Sequence, residues 1–354
     1  MTFILFTLLT IQLCYYLFFY YYFNRESLFD KSYLSGISII ICAKNEAENL
    51  KKNLPEIARQ DYPHFEIIVV DDDSGDNTQN VLEQLKNEIP FLKVIKINKG
   101  EKIGEGKKYI ISKAVEITKN EVLVFTDADC FPVSRHWLKI MISYLKNYDI
   151  VLGIAPLVTQ KNNITAWLQY YETAQTALQY IALAKSGNPY MSVGRNMMLR
   201  KESYFKNTWT QEELELASGD DDLLIQKIAT TGNTNTCTDC NTFVFSPAKE
   251  NYTQWTQQKI RHFSTGFLYQ PKYKFGLGLF LSSKILLYIF AIYNHNYFLM
   301  LFYILFIQTI YFLIERKYKI KTEWQKIFLL DFVLVVNSLT LGMINQLKIQ
   351  NKWK

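Results

Sequence analysis

An uncharged, apolar segment near the start of the chain limits what this protein can fold into. Thr2–Phe23 contains no charged residue and is long enough to cross a bilayer as a helix. No basic region precedes this segment, and no small-residue cleavage site follows it. We therefore predict a retained transmembrane anchor over residues 1–24 rather than a cleaved signal peptide.

Further apolar segments lie towards the other end of the chain. Phe275–Tyr293 and Tyr297–Ile314 form one zone, and Ile327–Gln346 forms a weaker one because it contains Asp331. The pattern predicts a C-terminal transmembrane region over residues 275–346. Its last segment either crosses the membrane or lies in the interface.

The distribution of charge predicts on which side of the membrane the rest of the chain lies. The chain has 354 residues and a formal net charge of +6. Basic residues follow the first and third apolar segments and precede the second; they are Arg25, Lys31, Lys272, Lys274, Arg316, Lys317, Lys319, Lys321 and Lys326. By the positive-inside rule, the mixed stretch Leu34–Tyr273 is cytoplasmic in a multi-pass protein of the inner or plasma membrane. If Ile327–Gln346 also crosses, the basic tail 348–354 lies outside, against this rule.

The cysteines give no sign of a metal or redox site. Five occur, and only Cys237 and Cys240 form a C-x-x-C pair. One pair with no second pair or nearby histidine does not complete a four-ligand zinc site. We predict reduced thiols, as in other cytosolic proteins.

Alternating strand and helix patterns open the mixed stretch and predict its fold. Apolar runs typical of buried strands lie at Ile37–Cys42, Phe65–Val70, Val94–Ile97 and Val122–Thr126. Helical patterns separate them, with Asn45 and Asp76 as predicted N-caps and Lys107–Thr118 as the third helix. This order predicts an α/β fold, a Rossmann-like and mostly parallel sheet with helices on both faces.

Carboxylates follow two of these strands directly. Asp71, Asp72 and Asp73 come after the second strand, and Asp127 and Asp129 after the fourth. Ligands of such sheets bind beyond the carboxyl ends of the strands. A hard divalent cation prefers oxygen ligands and keeps positions open for phosphate oxygens. We therefore expect a nucleotide and its metal at this edge of the sheet.

The second half of the mixed stretch is less regular. Asn163–Leu183 predicts a long helix, Tyr190–Leu199 is strand-like, and Gly219–Thr230 predicts a helix led by three aspartates. Asn251–Gln270 predicts an aromatic and basic helix that leads into the membrane zone. It belongs to a predicted interfacial segment, residues 251–273.

Taken together, these motifs resemble the family 2 glycosyltransferases, in the membrane-bound branch that includes ceramide glucosyltransferases and polysaccharide synthases. The resemblance extends from about Gly36 to Gly266. Its segments, in the order of the family, are Ile39–Glu46, Val69–Asp76, Asp127–Asp129, Gly219–Asp221 and Gln258–His262. It implies a catalytic domain of the GT-A type over residues 34–250. Three residues depart from the usual pattern: Asp220 replaces Glu, Asp73 replaces Gly and His262 replaces Trp.

The resemblance also implies roles for individual residues. Asp221 is the expected catalytic base, assisted by Arg261 and Gln258. The residues expected to bind the nucleotide sugar are Ala43, Glu46, Asp71, Asp72, Lys107 and Asp127. The residues expected on the acceptor side are Gly194, Asn196, Asp220 and His262. A divalent metal, Mg²⁺ or Mn²⁺, is expected on Asp129 with Asp127.

The implied activity is inverting transfer of a hexose from a nucleotide sugar, by analogy a UDP-sugar, to a lipid or lipid-linked acceptor at the membrane. No nucleic-acid partner is expected. One alternative is a processive polysaccharide synthase, for which the apolar segments are few and the replacement by His262 is unfavourable. A second is a nucleotidyltransferase, which would not need Gly219–Asp221 or Gln258–His262. Lys284, inside an apolar segment, either reaches back to the interface or pairs with an anionic group, for which an acceptor phosphate is the sharper hypothesis.

Overall fold

The computed structural model describes residues 2–98 and 100–346. The helices are α1 Thr2–Asn24, α2 Ala47–Ala58, α3 Thr78–Glu88, α4 Lys108–Glu116, α5 Trp137–Ser143, α6 Ile164–Lys185, α7 Lys201–Phe205, α8 Gln211–Glu215, α9 Asp222–Ile228, α10 Tyr252–Phe263, α11 Pro271–Tyr293, α12 Tyr297–Tyr318 and α13 Ile327–Gln346. The strands are β1 Ile37–Ala43, β2 Phe65–Asp72, β3 Leu92–Ile97, β4 Val122–Asp127, β5 Phe131–Pro132, β6 Ile150–Leu152, β7 Leu157–Val158, β8 Met197–Arg200, β9 Thr234–Thr236 and β10 Val244–Pro247.

These elements form two compact units. The sheet unit comprises residues 26–158 and 187–247, and the helix unit comprises the described parts of residues 1–25, 159–186 and 248–350. All ten strands belong to the sheet unit. Helix α6 lies within the predicted catalytic domain, residues 34–250, yet it packs in the helix unit against α1 and α13.

The main sheet has seven strands in the order β3-β2-β1-β4-β8-β6-β9. The first four are parallel, while β8 runs antiparallel to both of its neighbours. The four strands predicted from apolar runs are all present, so the expected mostly parallel sheet is confirmed. Strand pairing sets Ala43 beside Asp71 and Cys42 beside Asp127. The acidic residues therefore converge at the carboxyl edge of the sheet.

One buried cluster holds the helices on the sheet. Ile39, Ile41 and Val69 from the strands join Leu50 of α2 and Leu82 of α3 in this cluster. Full burial of such a side chain stabilises the fold by about 1.5–3 kcal/mol. A smaller sheet, in the order β5-β10-β7, lies in the same unit.

The helix unit contains four helices long and apolar enough to cross a membrane. They are Phe3–Asn24, Pro271–Tyr293, Tyr297–Tyr318 and Trp324–Gly342. The fourth includes most of α13, which the sequence left open as a span or an interfacial helix. The basic tail 348–354 lies outside the described residues.

Lys284 of α11 has a partner that the sequence did not predict. Its ammonium group lies 2.7 Å from Asp331 of α13 and donates to the hydroxyl of Tyr16 at 2.9 Å. The side chains of Lys284 and Asp331 are 2% and 0% exposed. The expected pairing with an anionic group is confirmed, although the group is Asp331 of the chain rather than an acceptor phosphate, and the buried side chain does not reach back to the interface. The pairing also explains how an apolar helix accommodates an aspartate.

Three element boundaries differ from the predictions. The strand expected over Tyr190–Leu199 is limited to Met197–Arg200, because residues 190–196 form an irregular loop. The helix expected over Gly219–Thr230 is limited to α9. The helix expected to reach Gln270 ends at Phe263 and is followed by a short 3₁₀ turn.

Candidate active site

The loops after β1 and β2 are tied together by side chains. The Asn45 side chain accepts from the Gly75 amide at 2.8 Å, and the Asn45 amide donates to Ser74 Oγ at 2.9 Å. Asp76 accepts from the Ala47 amide at 3.3 Å. The predicted N-cap role of Asn45 is therefore wrong, because its side chain binds across the loops instead of capping α2. Asp76 does both, since its other carboxylate oxygen accepts from the amide of Thr78, the first residue of α3, at 3.0 Å. The cross-links fix the floor of a site at the sheet edge.

Asp71 and Asp72 end β2 at this floor but differ in their surroundings. Asp72 is 1% exposed and pairs with Lys102 at 2.7 Å and Lys44 at 3.5 Å. Asp71 is also 1% exposed, and its Oδ1 accepts from the Ser74 amide. Its Oδ2 has no hydrogen-bond partner among residues 2–98 and 100–346. A buried carboxylate oxygen in this state suits a donor group from a ligand.

Asp127 is the last residue of β4, Asp129 lies in the turn after it, and their carboxylates fit a divalent cation. Their carboxylate oxygens and the Cys130 sulfur all lie within 4.8 Å of one another. Burial raises the pKa of the Cys130 thiol well above its usual range, and the thiol donates to Asp129 at 3.2 Å. A protonated thiol is a poor ligand for a hard cation. The two carboxylates are thus the protein ligands that Mg²⁺ or Mn²⁺ would use.

Lys107 places a positive charge at the same point. Its ammonium group donates to Asp127 at 2.5 Å. Burial would lower the pKa of Lys107, but the carboxylates of Asp127 and Asp220 outweigh burial and raise that pKa. A small pocket open to solvent is lined by Lys107, Asp127, Gly194 and Asp220 among others. The structure therefore brings together residues from four separate segments of the sequence.

Two glycines carry the loop that presents Lys107. Gly104 and Gly106 have φ angles of +76° and +71°, and a Cβ on either would lie within 3 Å of a backbone carbonyl oxygen. Those carbonyls belong to Leu214 and Ala217, so the loop rests on the segment before the second acidic cluster. Side chains at these glycines would strain the backbone and separate the two segments.

Lys108 joins the same two segments from inside. It is fully buried and donates to the carbonyls of Leu216, at 2.9 Å, and Ser218. Burial lowers the pKa of Lys108. Lys107 and Lys108 are adjacent in the sequence but differ in role. Lys107 lines the pocket, whereas Lys108 holds the backbone just before Asp220.

Asp221 has the surroundings expected of a base. Its carboxylate accepts from the amides of Gly194 at 2.7 Å and Asp222 at 2.8 Å. Burial, followed by the charges of Asp220 and Asp222, raises the pKa of Asp221 above that of an ordinary aspartate. A Cβ at Gly194 would lie 3.3 Å from the Asp221 carboxylate, so glycine gives the closest approach. A carboxylate with a raised pKa binds a proton more readily near neutral pH.

Asn196 requires a correction. The sequence placed it on the acceptor side, but it is fully buried. Its amide nitrogen donates to the carbonyls of Ile154 and Thr242, and its oxygen accepts from Trp137 at 3.0 Å. With these bonds in place, Asn196 positions the loop that carries Gly194 and does not contact an acceptor.

The other predicted site residues lie at the margins of the site or in the helix unit. Ala43 is buried at the end of β1, and Glu46 accepts from Asn49 at 2.6 Å. Gln258, Arg261 and His262 lie on α10 in the helix unit. The Nε atom of Arg261 is buried without a hydrogen-bond partner in the described parts of the chain, whereas His262 is exposed. The roles assigned to these three residues stay predictions.

Sequence reasoning missed Lys102, Lys108 and Cys130. The two lysines lie in the segment Gly100–Lys108, which holds three glycines and three lysines. Such a composition indicates a tight, basic loop, and that signal was available. Cys130 gave no signal, because its contact with Asp129 depends on the turn after β4.

Residues 38–206 match the family model described as Glycosyl transferase family 2. Poly-beta-1,6-N-acetyl-D-glucosamine synthase of Staphylococcus epidermidis is 28% identical over 118 residues, 31% of this chain and 27% of that protein. The 4,4'-diaponeurosporenoate glycosyltransferase of Staphylococcus haemolyticus is 29% identical over 196 residues, 52% of this chain and 51% of that protein. The match thus spans about a quarter of the first relative and about half of the second.

A solved structure covers much more of the chain. The mannosyltransferase from Pyrobaculum calidifontis, in complex with GDP-Man and Mn²⁺, aligns over 94% of this chain and 98% of its own with a TM-score of 0.59. The sequences are 19% identical, so the likeness shows the fold. The predicted α/β fold of the GT-A type is confirmed.

Proposed function

We propose that this protein moves a hexose from a nucleotide-sugar donor to a lipid or lipid-linked acceptor, and the match of residues 38–206 to the Glycosyl transferase family 2 model supports this. The donor is a UDP-sugar, and the configuration at the anomeric carbon is inverted. Four helices long and apolar enough to cross a membrane support a multi-pass protein of the inner or plasma membrane. The basic residues that flank the apolar segments support a cytoplasmic sheet unit.

The observation that carries this proposal is a group of carboxylates at the sheet edge whose oxygens could bind a ligand and a cation. Asp71 offers a buried oxygen that has no partner in the described part of the chain, and Asp127 and Asp129 offer two cation ligands. Lys107 pairs with Asp127, so it would bring positive charge to a diphosphate bound beside these carboxylates. A nucleoside diphosphate carries the complementary groups, namely hydroxyl and amide donors at one end and anionic oxygens at the other.

The chain's own residues support a single displacement. Asp221 takes the proton from an acceptor hydroxyl as that oxygen attacks the anomeric carbon. The bond between that carbon and the diphosphate oxygen breaks, and the nucleoside diphosphate leaves with the electron pair. Lys107 stabilises the leaving group through its positive charge. A divalent cation bound to Asp127 and Asp129 would neutralise further charge on the diphosphate.

Arg261 and Gln258 contribute from α10 in this proposal. A guanidinium group pairs phosphate oxygens at two points, which suits the leaving diphosphate. The buried Nε of Arg261, which has no partner within residues 2–98 and 100–346, supports a ligand role for this side chain. His262 is exposed and is assigned to the acceptor side with Asp220 and Gly194.

Two alternatives make different demands on the same structure. The name of one relative specifies a polymer, which keeps a processive synthase in view. Against it, the polar core around Lys284 and Asp331 is closed by direct hydrogen bonds, whereas a channel would present such groups to water. A nucleotidyltransferase would not need a carboxylate with the surroundings of Asp221.

The test uses full-length protein, a panel of UDP- and GDP-sugars, and Mn²⁺ or Mg²⁺. We expect release of nucleoside diphosphate from one donor, increased by a lipid extract and lost in Asp221→Asn. Products that grow by repeated addition would favour the processive synthase instead. Release of pyrophosphate, with nucleotide attached to the acceptor, would favour the nucleotidyltransferase.

A further inference from the structure

A second cavity lies wholly within the helix unit, between α6, α10 and α13. Its volume is about 580 Å³, including the space open to solvent at its mouth. The cavity is therefore accessible from solvent, and its lining residues decide which ligand it would bind.

Each helix presents one continuous face to the cavity. The face of α6 is polar and is formed by Glu172, Gln175, Thr176 and Gln179, spaced as i, i+3, i+4 and i+7. The face of α13 has the same spacing from Leu334 to Leu341, with an amide and a hydroxyl between two leucines. Polar side chains are thus concentrated on faces of apolar helices, where packing alone would favour apolar residues.

Two of these polar groups have no partner within the described residues. Asn337 is 6% exposed, and its Oδ1 accepts from the Tyr252 hydroxyl, while its Nδ2 has no hydrogen-bond partner. The Oε1 atom of Gln175 is also buried and has no hydrogen-bond partner among the described residues. Leaving a buried donor and a buried acceptor unmatched costs stability. A ligand that brings both an acceptor and a donor would remove that cost.

The charged groups of the cavity neutralise each other. Lys259 lies 2.7 Å from Glu172, and Trp255 Nε1 donates to the same carboxylate at 3.0 Å. A phosphate would need a cation that Glu172 does not already occupy. The lining therefore favours an uncharged ligand over an anionic one.

We propose that this cavity binds the uncharged, hydroxyl-bearing head group of an amphiphile, with Gln175 and Asn337 as its main hydrogen-bonding residues. Hydroxyl groups both donate and accept, so they match the two unpartnered amide atoms. Leu334 and Leu341 would contact the apolar part next to the head group. The inference goes beyond the proposed function, because it assigns a separate binding site within the helix unit and uses none of the residues proposed for transfer.

The test measures binding without any nucleotide sugar, using full-length protein in phosphatidylcholine nanodiscs. Sugar-based detergents are avoided because their head groups would compete for the cavity. Three probes are titrated while thermal unfolding is followed: dioctanoyl glucosylglycerol, dioctanoyl phosphatidate and methyl glucoside. The variants are Gln175→Leu and Asn337→Leu. A matched pair, Thr176→Val in the cavity and Thr173→Val on the same helix outside its lining, serves as control.

We expect the glucolipid to raise the unfolding temperature of the wild type and of Thr173→Val. The affinity falls about tenfold in Gln175→Leu and in Asn337→Leu, and by less in Thr176→Val. Without probe, Gln175→Leu unfolds at a higher temperature than the wild type, since it removes an unmatched oxygen. This last result separates a ligand role from a structural one.

Four outcomes would overturn the inference. The first is an equal response to the glucolipid in the wild type and both leucine variants. The second is a stronger response to phosphatidate than to the glucolipid, and the third is no response to any neutral probe. If methyl glucoside binds as well as the glucolipid, the ligand is a free sugar and not the head group of an amphiphile. A protein that binds the glucolipid but transfers no sugar would refute the proposed function alone.

Discussion

Buried carboxylates occur in both units of this protein, and the two units treat them in opposite ways. In the helix unit, both oxygens of Asp331 accept hydrogen bonds, one from Lys284 and Tyr171 and the other from Tyr288. At the edge of the main sheet, Asp71 is as deeply buried, yet one of its oxygens has no partner among the residues described.

The difference separates structural charge from functional charge. An aspartate whose partners all come from the chain joins helices, and removing one partner leaves an uncompensated charge. An aspartate that lacks a partner keeps its place for a group that arrives with a ligand. Four substitutions test this distinction between structural and functional charge.

The largest effect is expected at the cation ligands. Asp129→Ala should leave no detectable transfer, because the diphosphate would lose the cation that neutralises its charge. Asp127→Ala should be nearly as severe. The measurement is nucleoside diphosphate release across a range of Mn²⁺ concentrations, with the exposed Asp61→Ala as control. Undiminished activity of Asp129→Ala after treatment with EDTA would remove the metal assignment.

Asp221→Asn should lower turnover by on the order of 10²–10⁴-fold while donor affinity stays nearly constant, since it removes a general base and keeps the shape. The raised pKa of Asp221 sets the sign of the pH dependence. Only the deprotonated form accepts a proton, so kcat/KM should increase with pH above the ordinary range of carboxyl groups. A profile that is unchanged in Asp221→Asn, or equal damage from Asp222→Asn, would assign the base elsewhere.

Lys284→Met tests the role of Asp331, the buried aspartate whose oxygens both have partners. It leaves Asp331 buried without its counter-charge, and we expect a loss of about 3–5 kcal/mol of stability. Unfolding of the solubilised protein measures this, with Lys274→Met, an exposed lysine of the same helix, as control. Adding Asp331→Asn should restore much of the loss, because an amide oxygen still accepts from the tyrosines. If the double variant is no more stable than Lys284→Met, the ion pair is not what joins α11 and α13.

The smallest of the four effects is expected for Arg261→Lys. Lysine keeps the charge but not the planar pair of donors, so turnover should fall about ten- to hundredfold without loss of expression. Gln257→Ala, at an exposed position of the same helix, is the control. His262→Trp should be tolerated. Equal and mild losses in Arg261→Lys and Gln257→Ala would make α10 a membrane-contact helix only.

Local patterns were sufficient to predict the frame of the site. The apolar runs of β1, β2 and β4 and the acidic residues after β2 and β4 belong to the same short stretches of sequence. Once the sheet is known to be parallel, Asp71 and Asp127 must meet at one edge.

Features that depend on distant partners could not be predicted in this way. Asp331 lies 47 residues after Lys284, and the local sequence around either residue does not indicate that the two form a pair. Asparagine is a common N-cap residue, but the side chain of Asn45 accepts a hydrogen bond from the amide of a glycine 30 residues later instead. Asn196 belongs to a motif that suggested contact with an acceptor, while its burial follows from the packing of Trp137 and neighbouring carbonyls.

The cross-linked loops after β1 and β2 also set how this edge of the sheet opens. The amides of Asn45, Ala47 and Gly75 donate to side chains of the opposite loop rather than to a helix or a strand. Breaking one of these bonds releases both loops, so the three amides should exchange with deuterium as one cooperative group. A nucleotide that binds Asp71 would slow the exchange of all three together, which makes these amides a reporter of donor occupancy that needs no turnover.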